Sequence, residues 1–290
     1  MKIGLALSGG GAKGAAHIGV LQALKEENIK IESISGTSSG SIVASLYVAG
    51  YTPYEILDIF KNNCKKVTSF NLKFPIKLMS DLINPNSRIS GIVNSNNLKN
   101  ALNMFFSNKN VFNISCLKMP IMIVAADANS GRSIYFTNKV IKDYEKIKDK
   151  SIYMYNSDIT TAIMSSCAFP GFFEPLMYKN YMMIDGGLKE NIPTKALKLI
   201  DDENKILSVS FINDPIRNVK DGSIISLLSK CFEIMGNDMS QESINLSDYN
   251  LNINLPNVNL LDCNNMIDIA NAGYYTAKEN INDIKKALEY

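Results

Sequence analysis

Apolar and polar positions along this chain change period several times, and each change marks an element. Lys2-Ile3-Gly4-Leu5-Ala6-Leu7-Ser8 is apolar through its middle, as a buried strand is. Residues 9–14 are glycine-rich, and Gly14-Ala15-Ala16-His17-Ile18-Gly19-Val20-Leu21 then opens a helix that runs to about Glu27. Ile31-Glu32-Ser33-Ile34-Ser35 alternates apolar and polar, the period of a half-buried strand. Ser41 to Ala49 is helix-like again and is closed by Gly50. Strand, helix, strand, helix predicts a parallel sheet with helices on both faces. The fold class expected is therefore α/β, three layers (α/β/α) around a mainly parallel central sheet. Further on, Pro53 to Lys66 and Asn96 to Ser107 read as helices, with Thr68 to Ser90 irregular between them. Met119 to Ala126 and Ser133 to Thr137 read as strands, Asp158 to Met164 as a helix, and Ile206 to Ile212 as an apolar strand. Ile224 to Ser247 reads as a helix, Leu251 to Leu255 alternates like a strand, and Asp268 to Leu288 closes as a helix. No Pro/Gly/Ser stretch is long enough to part domains, so residues 1–290 read as one domain.

Where the second strand meets the second helix, the chain reads Gly36-Thr37-Ser38-Ser39-Gly40. That fits G-x-S-x-G, the nucleophile elbow of serine hydrolases, in the strand-turn-helix context the motif needs. The turn strains the serine backbone, so its neighbours must be small. It also lifts the hydroxyl clear of the sheet, at the positive end of a helix. An ordinary Gly/Ser turn reads the same way. A Ser-His-Asp triad needs histidine as general base, and the chain has one, His17. It sits near a helix start, where a packed imidazole is the simpler reading. A nucleophilic Ser38 would then take a carboxylate as its base.

Gly9-Gly10-Gly11-Ala12-Lys13-Gly14 follows the first strand and opens the first helix. The pattern fits G-x-G-x-x-G, but dinucleotide binding wants an acid closing the second strand, and Ser35-Gly36-Thr37-Ser38 stands there instead. A Walker loop is excluded because no Gly-Lys-Ser/Thr occurs there. Successive N–H groups at a helix N-terminus make an anion nest. Beside a nucleophilic serine that nest is an oxyanion hole. In a parallel sheet the C-terminal ends of neighbouring strands share one edge, which brings this loop beside Ser38. Lys13 either reinforces the nest, meets a phosphate or faces solvent. The third signal is Met182-Met183-Ile184-Asp185-Gly186-Gly187, an apolar run ending in an aspartate and two glycines. Alone it reads as a strand leaving through a D-G turn. With the other two signals, Asp185 becomes the natural base for Ser38.

These three stretches, in this order, resemble the three signatures of the patatin-like phospholipases. Ser165-Ser166-Cys167-Ala168-Phe169-Pro170-Gly171-Phe172-Phe173-Glu174-Pro175 resembles that family's Pro-Gly block, and Val124-Ala125-Ala126-Asp127-Ala128-Asn129-Ser130-Gly131 its Ala-x-Asp strand end. Ala270-Asn271-Ala272-Gly273-Tyr274 resembles a C-terminal helix of the family. The resemblance covers residues 1–195, and 196–290 reads as a C-terminal strand and helix extension. It implies a Ser-Asp dyad of Ser38 and Asp185 that uses no histidine. It implies an oxyanion hole from Gly9, Gly10, Gly11, Ala12, Lys13 and Gly14, with Gly36, Gly40, Gly186 and Gly187 flanking the dyad. The implied reaction is cleavage of a carboxylic ester of a phospholipid or related lipid, met at a membrane surface or micelle, without metal or cofactor. Leu188-Lys189-Glu190-Asn191-Ile192-Pro193 departs from the pattern in its Lys-Glu pair, where small or polar residues are frequent. Asp127 is read as a structural strand-end aspartate rather than one that orients the site. A rival reading keeps the fold but makes the glycine loop a catalytically silent lipid- or anion-binding site, and the intact Ser38 and Asp185 stand against it.

Composition narrows the setting. A formal charge of +2 leaves no nucleic-acid footprint. No run of about 18 apolar residues occurs, so no membrane-spanning helix is expected. The apolar start, Lys2 to Leu7, is too short for a signal peptide and is interrupted by the glycine loop. The cysteines, Cys64, Cys116, Cys167, Cys231 and Cys263, are odd in number and lack a C-x-x-C pair. Free buried thiols in a reducing cytoplasm are the simplest reading, with the protein peripheral to the membrane. Metal-ligand spacing is absent. Lys61 to Met79 mixes lysines with Phe, Leu and Met, which suits an anionic lipid surface. A solvated loop flanking the site is the plainer reading.

Overall fold

In a computed structural model of the chain, residues 1–69, 91–141, 148–211, 224–256 and 258–289 are described. Most of the irregular segment expected up to Ser90, the lysine-rich strip from residue 70 onward and the strand end at Ile212 lie outside them. The first half of the chain supplies β1 (Lys2–Leu7), α1 (Ala15–Glu26), β2 (Lys30–Thr37), α2 (Ser39–Val48), α3 (Pro53–Val67), α4 (Ser95–Asn108), β3 (Ile121–Asp127) and β4 (Ser133–Thr137). Then come β5 (Ser151–Met154), α5 (Ile159–Ser166), β6 (Leu176–Tyr178), β7 (Tyr181–Asp185), α6 (Thr194–Lys198) and β8 (Lys205–Ser210). The chain closes with α7 (Ile224–Leu246), β9 (Tyr249–Asn252), α8 (Met266–Glu279) and α9 (Ile281–Leu288).

The strands form one sheet in the order β5-β4-β3-β2-β1-β8-β9, with β7 on β3 and β6 on β7. β1 pairs in parallel with β2 and β8, β2 with β3, β8 with β9 and β4 with β5. The antiparallel pairs are β3–β4, β3–β7 and β6–β7. The sheet is thus mainly parallel and flanked by helices, the α/β class expected. Period-two side-chain alternation divides its two faces. Leu5 and Leu7 join the main core with Ile18 and Leu21 of α1 and Leu46 of α2. Ala6, between them, meets Leu197 of α6 and Ile206 on the other face.

β2 departs from the expected half-buried strand, because every residue from Ser33 to Thr37 is buried. Its polar positions turn toward the segment after Asp185 rather than toward water. The Ser33 hydroxyl donates to the Asp201 carboxylate, Ser35 Oγ to the Pro193 carbonyl at 2.7 Å, and Thr37 Oγ1 to the Glu190 carbonyl at 2.8 Å. Buried hydroxyls need such partners, and here they lace β2 to residues 190–201. The expected C-terminal helix is broken between α8 and α9. Asn280 Nδ2 donates to the Thr276 carbonyl at 2.8 Å and its Oδ1 accepts from Tyr249 at 3.1 Å. A side chain that competes for the backbone in this way disfavours a continuous helix.

The expectation of free thiols is overturned at one pair. Cys64 on α3 and Cys263 before α8 form a disulfide across a sequence separation of 199, with Cα atoms 5.6 Å apart. No local spacing announces such a pair; only the fold brings it together. Cys116 and Cys231 are free and exposed, and Cys167 is free and buried. The bridge removes the support that the cysteines lent to a reducing compartment.

Candidate active site

Strand register brings Ser38 to Asp185. β2 runs parallel to β3 until Thr37 stands opposite Val124. The next residue of β3, Ala125, stands opposite Asp185 of the antiparallel β7. The two strands therefore approach head-on along the same edge of β3, and their C-terminal residues meet. The β6–β7 hairpin holds this register. Its two turn residues, Lys179 and Asn180, both have positive φ, 48° and 68°. That is the two-residue turn matched to strand twist.

Ser38 occupies φ 51°, ψ −123° at the start of α2. A non-glycine residue in such a region costs about 1–3 kcal/mol and persists only where its surroundings over-determine it. Here they do. The Ser38 N–H donates to Ser166 Oγ at 2.8 Å, and Ser166 Oγ in turn donates to the Val124 carbonyl at 2.6 Å. The Ser38 carbonyl accepts from Ser41 Oγ at 2.6 Å and from Ser41 N–H at 2.9 Å. The flanking glycines are required by contact: a Cβ on Gly36 would lie 2.6 Å from the Gly40 backbone, and one on Gly40 would meet the Leu7 and Ser8 carbonyls.

The Asp185 carboxyl is buried. Its Oδ1 accepts from the Gly187 N–H at 2.7 Å, while Oδ2 is buried with no hydrogen-bond partner. Burial raises its pKa to about 6, against the Gly187 N–H and the neighbouring Ser38 hydroxyl, which pull it down. The Ser38 hydroxyl thus lies within reach of the carboxylate without an aligned bond to it. Gly186 sits directly against the Val124 carbonyl, with no room for a Cβ.

The glycine loop divides its amides. Gly9 N–H donates to the Asn191 carbonyl at 3.1 Å, Ala12 N–H to Leu260 at 2.8 Å and Lys13 N–H to Gly10 at 3.2 Å. Among the described residues, the Gly10 and Gly11 N–H groups have no such partner. Gly11 adopts φ +58°, and a Cβ there would strike the Leu260 carbonyl. Gly14 packs against the Ser39 side chain. Gly9, Gly10, Gly11, Ala12, Lys13, Ser38, Asp185 and Gly187 share one cavity of about 730 Å³, whose other walls include Ile42, Leu46, Phe60, Leu102, Phe105 and Phe169.

His17 lies beneath this loop rather than in it. It is fully buried, stacks on Phe211 at 4.6 Å and contacts the Ser8 carbonyl through Nε2 at 2.8 Å. Burial lowers its pKa to about 4, so it is neutral at pH 7, and Nδ1 has no partner. With Nε2 donating to Ser8, the ring braces the end of β1. Asp127 likewise holds structure, accepting from Ser130 Oγ at 2.6 Å and from the Met182 N–H at 3.0 Å. It thereby anchors the start of β7. Burial pushes its carboxyl up, but the Ser130 and Met182 bonds outweigh that and hold it below the usual range.

Three groups at the site escaped the sequence reading. Ser166 lay in plain view in the Pro-Gly block, but nothing there marks it as the acceptor for Ser38 N–H. Asn191 lines the cavity, and its Oδ1 occupies the space a Gly9 side chain would need. Leu260 covers the glycine loop from a segment with no sequence signal at all. Among the described residues no cluster of His, Cys, Asp and Glu is placed to hold a metal, and no described helix is long and apolar enough to cross a membrane.

The family profile for patatin-like phospholipases matches residues 5–198. The chain belongs to the patatin-like phospholipase family. All three motifs of this patatin-like chain lie inside the match, while Leu260 and α8 lie beyond it. An uncharacterised NTE family protein of Mycobacterium bovis is 28% identical over 192 residues, 66% of this chain and 44% of that protein. A protein named lysophospholipase NTE1, from Debaryomyces hansenii, is 28% identical over 201 residues, 68% of this chain and 11% of that one. The chain thus spans less than half the length of these relatives. The crystal structure of VipD from Legionella pneumophila is 16% identical, with a TM-score of 0.48 over 97% of this chain and 67% of that one.

Proposed function

We propose that this chain is a serine acyl hydrolase that cleaves carboxylic esters of phospholipids or related lipids through Ser38 and Asp185. One observation carries the reading: a buried carboxylate with an unpartnered oxygen stands beside a serine held in a strained turn, at the wall of an apolar cavity. Ser38 Oγ attacks the ester carbonyl as Asp185 Oδ2 takes its proton. The N–H groups of Gly10 and Gly11 receive the developing oxyanion, a narrower donor set than the whole loop. The intermediate collapses, the acyl–oxygen bond breaks, and Asp185 returns the proton to the leaving alkoxide. Water then attacks the acyl-enzyme, with Asp185 again as base. The pKa of about 6 suits this task, since the group is ionised at pH 7 yet basic enough to accept a proton. Family membership and the name of the Debaryomyces hansenii relative favour a lysophospholipid or phospholipid as substrate. We infer that the protein meets it peripherally, at a membrane surface or micelle.

A fluorophosphonate probe tests this against a silent lipid-binding role on the same fold. The expected result is a covalent adduct on Ser38, absent from Ser38→Ala. A folded chain that forms no adduct would contradict the reading.

A further inference from the structure

One wall of the cavity is built from outside the family match. Val258, Leu260 and Leu261 line it, and they belong to a strap that joins β9 to α8. The strap meets the glycine loop through the Leu260 carbonyl, which accepts the Ala12 N–H at 2.8 Å and covers Gly11. α3 supplies another wall, where Phe60 and Cys64 recur at helical spacing toward the same cavity and Thr68 follows just after the helix. A single covalent tie joins these walls, the disulfide between Cys64 and Cys263. Thr68 braces both of its ends, donating to the Cys64 carbonyl at 2.9 Å and lying 3.4 Å from Cys263 Sγ. Both cysteines are half-buried.

We propose that the Cys64–Cys263 bridge is a reducible clamp that sets acyl-chain selectivity, by holding residues 258–263 as a fixed wall of the cavity that contains Ser38. The proposal rests on the acyl-hydrolase reading above. A long acyl chain gains from a wall that stays in contact along its length, whereas a short acyl group bound near Ser38 needs little of it. A dithiol opens the clamp by thiol–disulfide exchange. One thiolate attacks a bridge sulfur and forms a mixed disulfide while the other cysteine leaves as a thiolate and takes a proton. The second reductant thiol then attacks the mixed disulfide, frees the second cysteine and closes the reductant's own ring. Two electrons and two protons pass to the protein, and the reductant becomes a disulfide. The strap keeps its attachments to β9 and α8 but is no longer tied to α3.

The test uses the full chain, oxidised and after treatment with dithiothreitol, on p-nitrophenyl butyrate and p-nitrophenyl palmitate. Alkylation and mass analysis follow the bridge, and circular dichroism follows the fold. Reduction is expected to lower the ratio of palmitate to butyrate kcat/KM by about fourfold or more, the value of at least one methylene lost from an apolar wall. Cys263→Ser is expected to show the lowered ratio from the start and no further response to dithiothreitol. A ratio that stays constant or rises on reduction, in a folded chain that hydrolyses both esters, overturns the clamp alone. So does finding Cys64 and Cys263 alkylated without reduction. Hydrolysis of neither ester overturns the acyl-hydrolase reading and the clamp with it.

Discussion

Ser38 keeps its strained backbone because four groups hydrogen-bond to it, the Ser166 hydroxyl, the Ser41 hydroxyl and the Ser41 and Ile42 N–H groups, and Ser166 alone among them ties it to β3. Its hydroxyl is at once the acceptor for Ser38 N–H and a donor to Val124. Ser166→Ala leaves a part-buried N–H and a buried carbonyl without this partner. It is expected to lower stability by about 1–3 kcal/mol and, if Ser38 is the nucleophile as proposed, kcat by roughly tenfold, because Ser38 is no longer aimed. Thermal denaturation and steady-state kinetics would check both, and an unchanged kcat would show that the turn needs no such support. His17 has a different signature. Its folded pKa of about 4 lies below the ordinary histidine value of 6.5, so between those pH values the unfolded chain binds more protons. Its contribution to stability is therefore complete above pH 6.5 and lost as pH falls toward 4, roughly 3 kcal/mol in all. His17→Gln keeps a donor for the Ser8 carbonyl and cannot titrate. Denaturant titrations at pH 7 and pH 5 should show a smaller loss on acidification in the variant than in the parent chain.

Between elements, the lacing of β2 to residues 190–201 holds the proposed base, Asp185, relative to the proposed nucleophile, Ser38. Thr37 precedes Ser38, and its hydroxyl holds the carbonyl of Glu190 in the loop that leaves Asp185. Glu190 itself is buried, accepting from the Ala196 N–H at 2.8 Å and from Tyr135 at 3.0 Å, and burial raises its pKa to about 7. Thr37→Val removes one tie at nearly constant volume. About 1 kcal/mol or somewhat more is expected to be lost, with a drop in kcat larger than any change in KM, since the cavity walls are untouched. An unaltered kcat at reduced stability would assign the tie to structure alone. The glycine loop, the elbow and the Asp-Gly-Gly turn each depend on local backbone chemistry, which short motifs record. β5 and β6, of four and three residues, are too short to display a period. The polar side of β2 imitated a solvent face because a serine that bonds a buried carbonyl has the same letter as one that meets water. The bridge and the strap over Gly11 are pairings of distant segments, and no window of sequence contains them.

For the molecule as a whole, the sheet gathers every group the proposed reaction needs at one edge and then adds β8 and β9 from beyond the family match to the far side of β1. The chemistry should carry one titration. Asp185 can accept the Ser38 proton only when ionised, so kcat is expected to rise with pH through about 6 and to be nearly complete at pH 7. A rising limb near pH 4, or one that follows His17, would not fit a buried aspartate as base. The identity of that base is tested by one side-by-side assay, hydrolysis of a single lysophospholipid by the parent chain, Asp185→Asn and His17→Gln. Asp185→Asn is expected to lose activity by roughly 10²–10⁴ with Ser38 still in place, and His17→Gln to stay within about tenfold of the parent. A His17→Gln chain that folds but is inactive, beside an Asp185→Asn chain that turns over normally, would contradict Asp185 as the base.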